Sequence, residues 1–89
     1  MPYKVTLTVK ESRGDCPYYQ VGDRIIFRGG ELLKDESGRL CLYALSAMFP
    51  YITALTRDTP EEDWINRKKS IQCPDDARPV IFQVSRERV

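Results

Sequence analysis

From Tyr3 to Lys10 apolar and polar residues alternate: Tyr3, Val5, Leu7 and Val9 fall on one side, Lys4, Thr6, Thr8 and Lys10 on the other. A period of two predicts a strand with one wet face. Residues 11–23 are rich in Gly, Asp, Ser and Pro and read as a loop. The loop closes on Val21-Gly22-Asp23, a tight turn in which glycine is free to take positive φ. It feeds a short strand from Arg24 to Arg28 built on Ile25, Ile26 and Phe27. Gly29-Gly30 ends that strand, Glu31 to Leu33 allows a further brief one, and Asp35 to Gly38 is a second polar turn.

The period changes after Arg39. Cys41, Leu45, Met48, Ile52 and Leu55 follow at steps of four, three, four and three, which places them on one face of a helix. Pro50 interrupts the pattern; proline lacks the amide donor and clashes with the preceding turn, at about 3 kcal/mol in a helix interior. A kink near Phe49, or a division into two short helices, is expected. Thr59-Pro60-Glu61-Glu62 has the form of a helix start, with Thr59 as cap, Pro60 at the first position and Glu62 completing a capping box. Trp64 and Ile65 would anchor that short helix, over residues near 60–67, to the core. Ser70 to Cys73 reads as a brief strand, Pro74-Asp75-Asp76 as a turn, and Pro79 to Arg86 as a closing strand with Val80, Phe82 and Val84 inward. The expected architecture is α+β, one domain over residues 1–89. A small, mostly antiparallel sheet of about four short strands is covered on one face by the proline-kinked helix, and its first and last strands pair.

Composition narrows the function classes. A chain of 89 residues buries only about 60–65% of its unfolded surface, so the core is modest. Hydrophobic residues make up 42% and charged residues 30%, an ordinary globular balance. Fourteen basic against 13 acidic side chains leave a net charge of +1, which gives no footprint for nucleic acid or an anionic membrane. The longest apolar stretch, Leu40 to Leu55, is broken by Ser46, Pro50 and Thr53 and is too short to span a bilayer. The amino end alternates and has no continuous apolar run of the signal-peptide kind. A cytoplasmic protein is therefore expected, in which thiols stay reduced.

Three cysteines cannot pair completely. Cys16 lies in the loop before the second strand, Cys41 in the first turn of the main helix and Cys73 at a strand end, so folding could bring all three to one point. The amides at a helix start would stabilise a Cys41 thiolate. Cys16 and Cys73 are each followed by proline, as is the last ligand in one bacterial ferredoxin pattern. No C-x-x-C pair is present and the chain contains no histidine, so the common zinc spacings are absent. Three thiolates suit a 4Fe–4S cluster with one open iron, with zinc held by Cys16, Cys41, Cys73 and either Asp75 or Asp76 as the next choice. The plain alternative is that each cysteine is a small buried hydrophobe.

Several motifs together resemble a numbered family of uncharacterised small proteins from bacteria and archaea. They are Cys16-Pro17 ahead of Val21-Gly22-Asp23, the pair Gly29-Gly30, the helix start Gly38 to Ala44, Phe49-Pro50-Tyr51, and Cys73 ahead of Arg78-Pro79-Val80-Ile81-Phe82. The likeness runs over nearly the whole chain. It departs at Leu42, where the family often has proline, and over 57–69, which lacks the family's glycines and Phe-Pro-Trp, although Trp64 can stand for that tryptophan. The resemblance implies that the cysteine trio and the proline of Phe49-Pro50-Tyr51 belong to a shared pattern, and it implies no activity.

Without histidine no Ser-His or Cys-His pair can form. Gly29-Gly30 lacks the continuation of a phosphate loop. Glu61-Glu62-Asp63 suit the start of a helix, Arg67-Lys68-Lys69 a solvated helix end, and Tyr18, Tyr19, Tyr43 and Tyr51 either finish the core or line a pocket by the cysteines. Three readings follow: a metalloprotein with cofactor and metal ligands Cys16, Cys41 and Cys73, serving redox chemistry, sulfur chemistry or metal handling; an accessory or interaction module with buried structural cysteines, acting as a homodimer or on another protein or a small molecule; and a thiol-based redox enzyme or sensor that uses Cys41.

Overall fold

The structure, a computed structural model, describes residues 3–14 and 16–89. The alternating segment forms β1 (Tyr3–Ser12), followed by β2 (Arg24–Arg28), β3 (Glu31–Leu32), helix α1 (Leu42–Thr56), a single 3-10 turn (Trp64–Arg67), β4 (Ser70–Gln72) and β5 (Val80–Arg88). The strands make one sheet in the order β3-β2-β1-β5-β4 with every pairing antiparallel. The sheet therefore has five strands where about four were expected, because the two-residue β3 pairs as a genuine edge. β1 and β5, the first and last strands, lie side by side at the centre, with Tyr3 opposite Arg88 and a bulge between Val9 and Glu11.

Period-two patterning decides which side chains meet the helix. Val5, Leu7 and Val9 of β1 are buried, as are Ile25, Phe27, Val80 and Phe82, and all of them join one core cluster. From α1, Ala44, Met48 and Leu55 enter that cluster, while Leu45 and Ile52 pack on its margin. Burial of side chains of this size contributes about 1.5–3 kcal/mol each, so the helix is held by its contact with β1, β4 and β5 more than by intrinsic propensity.

Pro50 sits inside α1, which continues through it from Leu42 to Thr56. The division into two short helices does not occur. Packing of Met48 before the proline and Leu55 after it on the same core offsets the one amide lost at Pro50.

The capping box at Thr59 does not form. Residues 60–63 make a turn closed by the Asp63 N–H donating to the Pro60 carbonyl at 2.9 Å. The cap is Asp63, whose carboxylate accepts the Ile65 N–H at 3.0 Å, and Thr59 Oγ1 instead meets Asn66 Oδ1 at 3.1 Å. An aspartate placed two residues before a free amide competes successfully with a threonine further upstream. Ile65 is buried as expected, but Trp64 is 56% exposed and rests its ring edge-on against Tyr51 at 6.0 Å.

The exit of α1 is secured from a distant strand. Among the last residues of the helix there is no basic side chain. Arg86 of β5, opposite Val5, donates from Nε to the Leu55 carbonyl at 2.8 Å, from Nη2 to the Arg57 carbonyl and from Nη1 to Asn66 Oδ1, both at 3.0 Å. Its guanidinium also lies 4.1 Å from the centre of the Tyr3 ring.

Candidate functional site

The loops carrying the three cysteines meet at one end of the sheet. Gly22 takes φ +99, as the Val21-Gly22-Asp23 turn requires, and Asp23 Oδ2 accepts the Gln20 N–H at 2.9 Å. The following strand is thereby set against β1, with the Val9 N–H donating to the Asp23 carbonyl. Further back in the loop Arg13 N–H donates to the Pro79 carbonyl at 2.9 Å. A β-carbon on Gly14 would fall 2.3 Å from the Ala77 carbonyl oxygen, so only glycine lets the Cys16 loop lie against the turn that follows Cys73. Asp15 lies outside the described residues.

The turn itself is held by Asp75, whose Oδ1 accepts the Ala77 and Arg78 N–H groups at 2.9 and 3.1 Å. Cys73 precedes it, and its N–H donates to the Val80 carbonyl. Arg39 Nη1 reaches the Pro17 carbonyl at 3.4 Å, linking the Cys16 loop to the start of α1.

Tyr19 is the centre of this end of the molecule. Its ring packs edge-on against Phe82 with centroids 5.3 Å apart, and its hydroxyl oxygen accepts the Cys41 N–H at 2.9 Å. Burial pushes the Tyr19 phenol above its ordinary value; the Cys41 N–H opposes the rise, and Cys41, Cys16 and Asp23 add to it by charge. Cys41 occupies the cap of α1 in extended backbone, and its thiol makes no capping hydrogen bond.

All three thiols are free, Cys16 partly exposed and Cys41 and Cys73 buried. Cys41 and Cys73 belong to the main core cluster, and Cys16 packs against it. Among the described residues, no group of three or more His, Cys, Asp or Glu side chains is placed to hold a metal ion. The donors as they stand therefore do not fit a preformed cluster or zinc site, with or without Asp75 or Asp76. Cys16 instead opens onto a cleft of about 390 Å³ shared with Tyr18, Tyr19, Asp23 and Arg39.

A second feature of this end was not drawn from the sequence. The cleft beside Cys41 is walled by Tyr18, Leu40, Leu42 and Tyr43. Leu42 is 80% exposed and Tyr43 65%. One and two turns along α1, Ser46 and Phe49 continue the same outward stripe, with Phe49 62% exposed. Residues 40–56 contain no charged side chain, so α1 is uncharged on its outer face as well as its inner one, where a solvated helix ordinarily carries its polar residues. The signal was present in the sequence: the uncharged run extends right around the helix instead of alternating with charge. No helix among the described residues is long and apolar enough to cross a membrane. Compared with family models, curated proteins and solved structures, the chain has no match, so the motif resemblance is neither supported nor opposed there.

Proposed function

We propose that this protein is an interaction module that acts by docking the outer face of α1, with Cys41 and Cys73 serving as core residues. The observation that carries this reading is the uncharged outer surface of α1, on which Leu42, Tyr43 and Phe49 are exposed, in a chain otherwise rich in charge. Exposed apolar side chains add nothing to the core, and contiguous patches of this kind mark interaction surfaces. The test is stability in dilute solution. Leu42→Lys and Phe49→Glu should each leave Tm unchanged or slightly raised. A fall of more than about 5 °C, roughly 1 kcal/mol in a domain of this size, would assign the stripe to folding and remove the reading.

The cluster or zinc site at Cys16, Cys41 and Cys73 stands as a second proposal. What supports it is the tying of all three cysteine-bearing segments to one end of the sheet, by Tyr19 to Cys41, Arg39 to Pro17 and Arg13 to Pro79. It requires the ion to draw the thiols together on binding, and when bound it would supply redox or Lewis-acid chemistry. Iron, zinc and sulfide analysis of anaerobically prepared protein tests it. Near-stoichiometric metal that is lost in Cys41→Ala and in Cys73→Ala supports a shared site, and metal-free protein eliminates it.

A further inference from the structure

The docking face has a shape that specifies its occupant. Beside Phe49 a groove of about 150 Å³ runs between α1 and the β2–β3 edge, lined by Phe27, Leu32, Leu45, Met48 and Ile52. A cavity of about this volume with apolar walls accepts a group the size of benzene. Leu42, the most exposed of the large apolar side chains on the helix, projects seven residues earlier on the same stripe, about 10 Å along the axis. The face thus carries a knob and a hole. Midway between them is Ser46, small enough to let two helices approach closely. Its hydroxyl already donates to the Tyr43 carbonyl at 2.7 Å, so covering it does not strand that donor.

Resting on the docking reading above, we infer that the occupant is a second copy of this chain, packed antiparallel through α1 about a two-fold axis at Ser46. Such an axis makes contacts reciprocal: Leu42 of each copy enters the groove beside Phe49 of the other. Leu42, Tyr43 and Phe49 with the adjoining Tyr18 and Leu40, 50% and 41% exposed, offer at most roughly 600 Å² of apolar surface, the low end of what each partner of a specific interface buries. The face is also electrically neutral, with Arg39 and Arg57 only at its ends, so two copies meet without like-charge repulsion across the stripe.

Sedimentation equilibrium of the full chain up to about 100 μM, a hundredfold above a Kd of about 1 μM, should give twice the chain mass of 10.3 kDa. Leu42→Lys and Phe49→Glu should each weaken association at least about tenfold. Mixing the two variants should restore a heterodimer, because lysine at 42 of one copy then meets glutamate at 49 of the other. A chain that remains monomeric overturns the dimer and leaves the face to an apolar segment of a different protein. Dimers indifferent to both substitutions, or two monomeric variants that fail to associate when mixed, overturn the antiparallel pairing. These outcomes are separate from the dilute-solution Tm test, which judges the docking reading itself.

Discussion

The hydroxyl of Tyr19, in the loop after Cys16, accepts the first free amide of the main helix, the Cys41 N–H, at 2.9 Å. A side chain 22 residues away thus does the work that a local cap would do for α1, and fixes the Cys16 loop to the helix start. Tyr19→Phe keeps the edge-on packing against Phe82 but leaves that buried amide without a partner. Chemical denaturation should show a loss of about 1–3 kcal/mol, the desolvation cost of an unpaired buried donor. A change below about 0.5 kcal/mol, the scatter of neutral surface substitutions, would mean that water replaces the phenol.

The same phenol gives the protein an alkaline limit. Its folded-state value lies above the ordinary one of about 10 because burial disfavours the phenolate. The unfolded chain therefore loses this proton first, and stability present below about pH 10 declines as pH rises toward the folded value. Unfolding free energy measured from pH 8 to 11 should fall more steeply for the native sequence than for Tyr19→Phe. Parallel curves would contradict the assignment.

Arg86 should matter out of proportion to its place near the end of β5. Arg86→Ala releases the Leu55 and Arg57 carbonyls and Asn66 together, and hydrogen bonds to a charged group are worth about 1.5–3 kcal/mol. We expect a loss of about 2–3 kcal/mol for the group, accompanied by faster amide exchange in the last turn of α1. Arg86→Lys should recover less than half, since an ammonium cannot make the forked contact. Full recovery by lysine would reduce the role of Arg86 to charge alone.

Thiol reactivity should separate the cysteines by burial. Cys16 is partly exposed, whereas Cys41 and Cys73 are only 9% and 7% exposed. Iodoacetamide labelling followed by mass spectrometry should modify Cys16 first, with Cys41 and Cys73 labelled at the rate at which the protein opens. Rapid labelling of Cys41 in the folded protein would favour the thiol-enzyme or sensor alternative over a core role.

Much of the fold is legible along the chain because its cause is local. β1 and β2 follow from alternation, Gly22 from the φ its turn demands, and α1 from the step pattern that ends in buried Met48 and Leu55. The 60–67 segment departs from its sequence pattern because Thr59, Asp63 and Asn66 all offer side-chain oxygens to the same few amides, and only geometry selects Asp63. β3 has little signature along the chain, since a two-residue edge has no period of its own and exists through its pairing with β2. At the candidate site the sequence marked the three cysteines and their proximity to loops. It could not mark Tyr19 or Arg86, whose partners are backbone atoms, and a backbone atom leaves no trace in residue identity.

By itself the sequence determined an α+β domain with a helix on one sheet face, since hydrophobic periodicity and turn chemistry act over a few residues. Only the tertiary structure decided which loops meet, that Cys41 and Cys73 are packed in the core, and that Leu42 and Phe49 remain outside it. Those outcomes depend on contacts between residues distant in the chain, and on one face of an uncharged helix being used while the other is left over.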